Sequence, residues 1–225
     1  MPQVNLSARR LGRQRRLGYD GAVPLRLAPV TRALLFANVG IFLVQMLTGN
    51  LLVGPFALWP LSTGPATVAP PFELWQLLTY GFLHGGLDHL FFNMLALYMF
   101  GTEVERLLGS RHFLIYYLVC VAGAAAAQLA VMAATAQPPV PTVGASGGVF
   151  GLLLAFGLAY PKRRIMLLFP PIPMPAWVFV TLYGLLELYL GVTGSQAGVA
   201  HFAHLGGMAA GYVLLVYWRH GRPMR

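Results

Sequence analysis

Gly144-Ala145-Ser146-Gly147-Gly148-Val149-Phe150-Gly151 opens an apolar run with a serine, and Ala203-His204-Leu205-Gly206-Gly207 carries a histidine into another. Outward from these two stretches, runs of the same character lie near 33–53, 89–108, 112–134, 146–160, 174–192 and 200–218. A helix needs about 20 residues to cross a hydrocarbon core of about 30 Å. The fourth run is short for that, which suits a helix that begins below the outer surface in a water-accessible cavity. Of the 225 residues 57% are hydrophobic and 9% charged, against roughly 25% charged in a soluble domain. The long unbroken runs are unlike the alternating segments of about 10 residues that build a membrane barrel. The expectation is an all-α membrane protein with six transmembrane helices.

The formal net charge is +9, which in a soluble chain would point to nucleic acid. Its distribution excludes that reading. Arg9, Arg10, Arg13, Arg15, Arg16, Arg26 and Arg32 precede or open the first run, and Arg106 and Arg111 lie between the second and third. Lys162, Arg163 and Arg164 follow the fourth, and Arg219, Arg222 and Arg225 follow the last. The other connections carry no Lys or Arg, so every basic residue falls on alternate loops, as the positive-inside rule requires. Both termini are therefore expected in the cytoplasm. The acid-poor tail also has the composition of a mitochondrial presequence. The domain reading is a basic cytoplasmic tail at 1–32, a six-helix domain at 33–218 and a short basic tail at 219–225.

Gly54 to Asp88 is the longest outer connection. Pro55, Pro60, Pro65, Pro70 and Pro71 break regular structure, yet Phe56, Leu58, Trp59, Phe72, Trp75 and Leu77 make the loop too apolar for a solvated linker. It should be membrane-associated, with Trp59 and Trp75 as interfacial anchors. Pro170, Pro171, Pro173 and Pro175 form an inner turn into the fifth helix, and Cys120 is a small buried hydrophobe that has no partner for an intrachain disulfide.

Polar side chains are expensive within spans and mark function. His89 and Asn93 share one face of the second helix, at i,i+4 near its outer end. Ser146 opens the fourth helix at the same level and His204 lies one turn into the sixth. Amide cleavage needs a nucleophile, a base and donors for the developing oxyanion. Ser146 fits the first role and His204 the second, while His89, Asn93 and the Ser146 backbone N–H can donate. Gly144 and Gly147 free the backbone around the serine, and Gly207 and Gly211 share the His204 face, where small residues permit close helix contact. No carboxylate is expected to complete a triad, so a Ser–His dyad is the preferred arrangement. Asp88 beside His89 is left open as an orienting group. Glu187 is read as mid-span in the fifth helix, bonded to a neighbouring helix or facing the cavity. His84 and His201 are read as structural, His84 pinning the outer loop and His201 lining the cavity. No metal and no cofactor are expected.

These residues resemble the rhomboid family of intramembrane serine proteases, from Trp75 to Gly211 and in the family's order. Trp75-Gln76…Thr79 resembles its outer-loop motif, with Gln76 where arginine is usual. His84-Gly85-Gly86-Leu87-Asp88-His89-Leu90-Phe91-Phe92-Asn93 looks like the stretch that supplies the oxyanion histidine and asparagine. Glu105-Arg106-x-x-Gly109 resembles an inner-loop element. Gly144 to Gly151 matches the nucleophile motif, with Phe150 where some members have tyrosine, and Ala203 to Gly211 matches the base motif. The resemblance implies a rhomboid-like bundle that cuts single-span or other transmembrane substrates near the outer face, in the lipid bilayer of a bacterial inner membrane. The rival readings are an inactive relative that binds and escorts membrane proteins, and a small-solute transporter. The transporter predicts internal repeats and polar residues at every depth, neither of which is visible.

Overall fold

The computed structural model describes residues 27–61, 69–135, 140–166, 171–195 and 199–221. Most of the basic tail, Pro65, Pro170, Arg222, Arg225 and parts of the two short outer loops lie outside the described residues.

Long helices dominate. Helix α1 is Pro29–Thr48, and α2 runs Leu87–Ala96, passes through a π-helical stretch at Leu97–Gly101 and ends as Thr102–Leu108. Helices α3 (Ser110–Ala134), α4 (Ser146–Ala159), α5 (Ala176–Thr193) and α6 (His201–Gly221) follow. By length and composition α1, α3 and α5 are long and apolar enough to cross a membrane. Their outer faces agree: Phe36, Leu43 and Leu47 of α1, Leu114 and Ile115 of α3, and Leu182, Leu185 and Leu188 of α5 are all exposed. Apolar surface this continuous marks a lipid-facing protein, and the chain is an integral membrane protein.

Helix α1 begins at Pro29, four residues before the expected start. Proline is tolerated at the first helical position because its missing N–H has no intrahelical role. The remaining exposed donors are met from α2: Glu105 accepts the backbone N–H of Val30 at 3.0 Å and of Thr31 at 2.7 Å, and the Thr31 hydroxyl at 2.8 Å. The Ser110 hydroxyl, at the start of α3, donates to the same carboxylate at 2.6 Å. One buried acid thus caps α1 and fixes it to the α2–α3 turn. Helix α1 ends early too, at Gly49, whose φ is 61°.

A second departure follows α4. The inner turn is a small antiparallel ribbon, β1 (Arg164–Met166) on β2 (Pro173–Pro175), pairing Ile165 with Met174. Two strands suffice for prolines because neither needs an outward N–H, and the buried Ile165 seats the ribbon on the bundle.

The described parts of the α1–α2 connection are held by their own polar groups. Gln76 is fully buried; its Oε1 accepts the Trp59 N–H at 3.2 Å, and its Nε2 donates to Pro55 O at 3.4 Å and Pro71 O at 3.3 Å. A glutamine therefore serves as the loop's hydrogen-bonding centre where arginine is usual in the resemblance. Trp59 corrects its expected role: it is buried, donating from Nε1 to Gly54 O at 2.8 Å, so it packs the loop rather than anchoring it in lipid. Trp75 is half-exposed and donates to Pro55 O at 2.9 Å.

The centre is α4, wedged against α3 and α6 with nearly every residue of its first three turns buried. A Cβ on Gly207 of α6 would overlap the Gly147 carbonyl of α4. Only glycine allows this backbone contact, the membrane form of small-residue packing. Beside it Tyr116 of α3 donates to Gly151 O at 2.8 Å, and Cys120 is buried as expected.

Glu105→Ala should lower unfolding stability by about 1–3 kcal/mol, because buried donors lose their acceptor. Glu103→Ala, which removes only part-exposed pairs with Arg106 and Arg163, should cost under about 1 kcal/mol. Equilibrium unfolding in mixed detergent measures both.

Candidate active site

The N-terminal ends of α2, α4 and α6 meet at one end of the bundle. The segment leading to α4 is placed by the outer loop. Leu58 and Thr142 exchange backbone hydrogen bonds at 3.0 and 2.9 Å, and the Gly144 N–H donates to Tyr80 O at 3.0 Å. Gly144 then turns the chain with φ 132°, a conformation reserved for residues without Cβ. A Cβ there would stand 2.6 Å from His89 Cε1 and 2.7 Å from its Nε2, and 3.6 Å from Ser146 Oγ. The glycine thus keeps open a gap between the His89 ring and the Ser146 hydroxyl.

Ser146 is the first residue of α4, so its backbone N–H has no acceptor within the helix. Its Oγ lies 2.8 Å from His204 Nε2. The His204 ring stacks on Phe150 of α4, with centroids 4.2 Å apart and planes at 7°. Phe150 in turn stacks on Tyr183 of α5 at 5.4 Å. These contacts hold the imidazole plane, and an aromatic ring without a hydroxyl is enough for that.

The other nitrogen of His204 reaches a group that sequence reasoning placed elsewhere. His204 Nδ1 donates to Glu187 Oε2 at 2.8 Å, and His201 Nδ1 donates to the same oxygen at 2.7 Å. All three side chains are buried. The expectation that no carboxylate stands near His204 is therefore corrected, whereas His201, read as structural, is buried against the same carboxylate. Depth counting could have found Glu187. It lies six residues before the end of α5 and His204 three residues into α6, so they sit about 9 Å and 5 Å from the ends that the α5–α6 connection joins.

With Nδ1 committed to the carboxylate, His204 presents the bare Nε2 to Ser146, and the hydroxyl donates to it. His89 has the opposite arrangement. Its Nδ1 accepts the Gly85 N–H at 3.4 Å, which leaves the proton on Nε2, the atom beside Gly144. Asn93 is buried one turn below, donating from Nδ2 to His89 O at 3.0 Å. That carboxamide has a second N–H to offer. His84 is buried edge-on to His89 at 5.2 Å, and its backbone N–H donates to Gln45 Oε1 at 3.0 Å, tying the loop to α1. Asp88 is exposed. Of the expected residues, Ser146, His204, His89, Gly144, Gly147, Phe150 and Gly207 are in or against this cluster. Asn93 borders it, and Gly211 packs deeper, against Tyr116.

Among the described residues Glu187, His201 and His204 also form a group whose ligating atoms lie within 4.8 Å of one another. A cation there would have to displace both Nδ1 protons, and with them the bonds that orient the two rings.

A family model for the rhomboid domain matches residues 71–220. The chain is 34% identical over 140 residues to the rhomboid protease GluP of Bacillus subtilis, covering 62% of this chain and 25% of that protein. It is 33% identical over 179 residues to RHOMBOID-like protein 4 of Arabidopsis thaliana, 78% of this chain and 43% of the relative. To the rhomboid protease GlpG of Yersinia pestis it is 24% identical over 206 residues, 90% of this chain and 67% of the relative. The first two relatives are thus much longer than the part this chain spans. With the match running from the outer loop through the last helix, the protein belongs to the rhomboid family.

Proposed function

We propose that this protein is an intramembrane serine endopeptidase, with Ser146 as nucleophile and His204 as general base. The single observation that carries the reading is the 2.8 Å contact between Ser146 Oγ and His204 Nε2, at the first turn of α4 and inside an apolar bundle. A serine there has no packing reason to meet a histidine, and a polar pair in a span costs free energy unless used. The names of the relatives GluP and GlpG support the same reaction.

The chemistry follows from the geometry. Ser146 Oγ attacks a peptide carbonyl while its proton passes to His204 Nε2. The oxyanion that forms needs donors fixed in advance. His89 Nε2–H and the Ser146 backbone N–H face the gap beside Gly144, and Asn93 supplies a further N–H from below. Collapse of the intermediate returns the proton from His204 to the leaving amine, and water hydrolyses the acyl-serine by the same route in reverse.

Six helices cross the bilayer in this reading. Arg32, Arg106, Arg111, the Lys162–Arg164 run and Arg219 mark the cytoplasmic end, with both termini there. The domain, expected at 33–218 between two basic tails, extends to 29–221 in this reading so as to hold all of α1 and α6. Helix α4, with 14 residues, spans about 21 Å, so Ser146 lies beneath the outer surface. The bacterial relatives favour an inner membrane. Substrates are then transmembrane proteins cut near the outer face.

Ser146→Ala and His204→Ala should each abolish cleavage of a single-span substrate in proteoliposomes while the protein still expresses and folds. Labelling of wild type by a fluorophosphonate should vanish in Ser146→Ala. Near-normal turnover in either variant removes the assignment.

His89→Ala and Asn93→Ala should slow turnover by about 10²–10³-fold, the usual loss for one oxyanion donor. Rates equal to wild type would take that residue out of the site.

A carbonyl locked in a helix is shielded from attack. Moving a Gly-Ala pair through a model substrate should therefore move the cut, since glycine weakens a helix by about 1 kcal/mol. Cleavage indifferent to that pair, or tracking the cytoplasmic end, refutes the outer-face site.

A further inference from the structure

Glu187 is the one residue of α5 that belongs to the Asp, Glu, Lys, Arg and His set, and one of its oxygens takes two hydrogen bonds from α6, from His201 Nδ1 and His204 Nδ1. His204 passes the line on to Ser146 through Nε2. A carboxylate that merely tied two helices together would be satisfied by either ring. This one engages the nitrogen of His204 whose protonation decides what the opposite nitrogen can do. If Nδ1 lost its hydrogen bond to Oε2, the ring proton would be free to move to Nε2, and the base would become a donor facing the serine.

His201 sits on the same face, one turn earlier, and its role is complementary. Its Nε2 is buried without a hydrogen-bond partner among the described residues. A proton there would be left unpaired, so the ring carries its proton on Nδ1, donated to Glu187. The carboxylate is therefore gripped from two sides, in a buried place where a lone charge would be very costly.

We propose that Glu187 is a positioning residue for His204, converting the Ser146–His204 pair into a Ser146–His204–Glu187 triad, with His201 holding the carboxylate in place. The inference rests on the protease reading above. In the attack step the Ser146 proton moves to His204 Nε2 as the Oγ–carbon bond forms. His204 becomes imidazolium with Nδ1–H still bonded to Glu187, which stays ionised and offsets the new positive charge. In the collapse step the Nε2 proton goes to the leaving nitrogen as the carbon–nitrogen bond breaks, and His204 is neutral again. Glu187 neither gains nor loses a proton. Its contribution is the tautomer before the step and the charge after it.

The test compares wild type, Glu187→Gln and Glu187→Asp of the full chain in proteoliposomes with a single-span substrate. Glutamine keeps the shape and one acceptor but removes the charge. It should lower kcat at least about 100-fold, since the equivalent change in a soluble triad costs about 10⁴. KM and melting temperature should stay close to wild type, so that the loss falls on kcat alone, which a structural tie would not produce. Aspartate, charged but shorter, should recover part of the lost kcat. A variant-independent measurement is nitrogen-15 NMR of the histidines in wild type, with His204 identified by its loss in His204→Ala. The expected signal is protonated Nδ1 and bare Nε2.

Glu187→Gln with kcat within about threefold of an active wild type overturns this inference alone, as does a His204 ring protonated on Nε2. Loss of wild-type activity in EDTA that Zn²⁺ restores also overturns it and makes the cluster a metal site. A wild type that neither cleaves the substrate nor reacts with a fluorophosphonate overturns the protease reading and this inference with it.

Discussion

The backbone contact between α4 and α6 is the constraint on which the rest depends. Gly207 lies against the Gly147 carbonyl with no room for a methyl group, and that approach brings the first turns of the two helices together. One residue before Gly147 is Ser146; one turn before Gly207 is His204. In lipid there is no hydrophobic drive to pull helices together, so dispersion over close surfaces and hydrogen bonds must do it. The glycines permit the contact, and the Ser146–His204 bond uses it. Phe150 extends the same logic by filling the space beside the imidazole with a ring rather than water.

Two buried carboxylates then join helices at opposite ends of the bundle, by different means. Glu105 satisfies backbone donors at the start of α1 and a hydroxyl at the start of α3. Its negative charge meets the positive end of the α1 dipole, and that role is structural. Glu187 has no helix end to cap. It takes ring donors only, from two histidines of one turn. A carboxylate among imidazoles costs desolvation and, in the proposed mechanism, returns an oriented base, so the two acids differ in their surroundings despite similar burial.

The described parts of the α1–α2 connection combine short helical turns at Val53–Phe56, Gln76–Thr79 and Tyr80–Phe82 with hydrogen bonds from side chains to its own backbone. Gln76, Trp59 and Trp75 all bond to backbone groups of the loop, and the Leu58–Thr142 pairing ties it to the segment before Gly144. The position of Ser146 therefore depends on residues far from it in sequence. Trp59 was misjudged for this reason: an interfacial tryptophan and a loop-packing one look alike until the loop is folded.

Much was legible from the chain because a membrane-facing helix must announce itself by length and hydropathy, and because positive charges sort by side. Periodicity also put His89 and Asn93 on one face, and the small residues beside Ser146 and His204 implied close packing. The start of α1 differs from the expected one because its cap, Glu105, comes from another helix. The ribbon at Arg164–Met166 was missed because its partner is a proline-rich stretch that reads as a turn. Glu187 is the clearest case. Its presence in a span was visible, but which histidine it would meet was not, since rotation of α5 about its own axis leaves composition and spacing unchanged. The sequence by itself determined the helical, membrane-embedded character of the chain, which follows from local hydropathy, and offered a candidate nucleophile and base from the residue types in two motifs. Only the tertiary structure decided the partner of the base, because that depends on how two helices turn toward each other, and packing alone sets that angle.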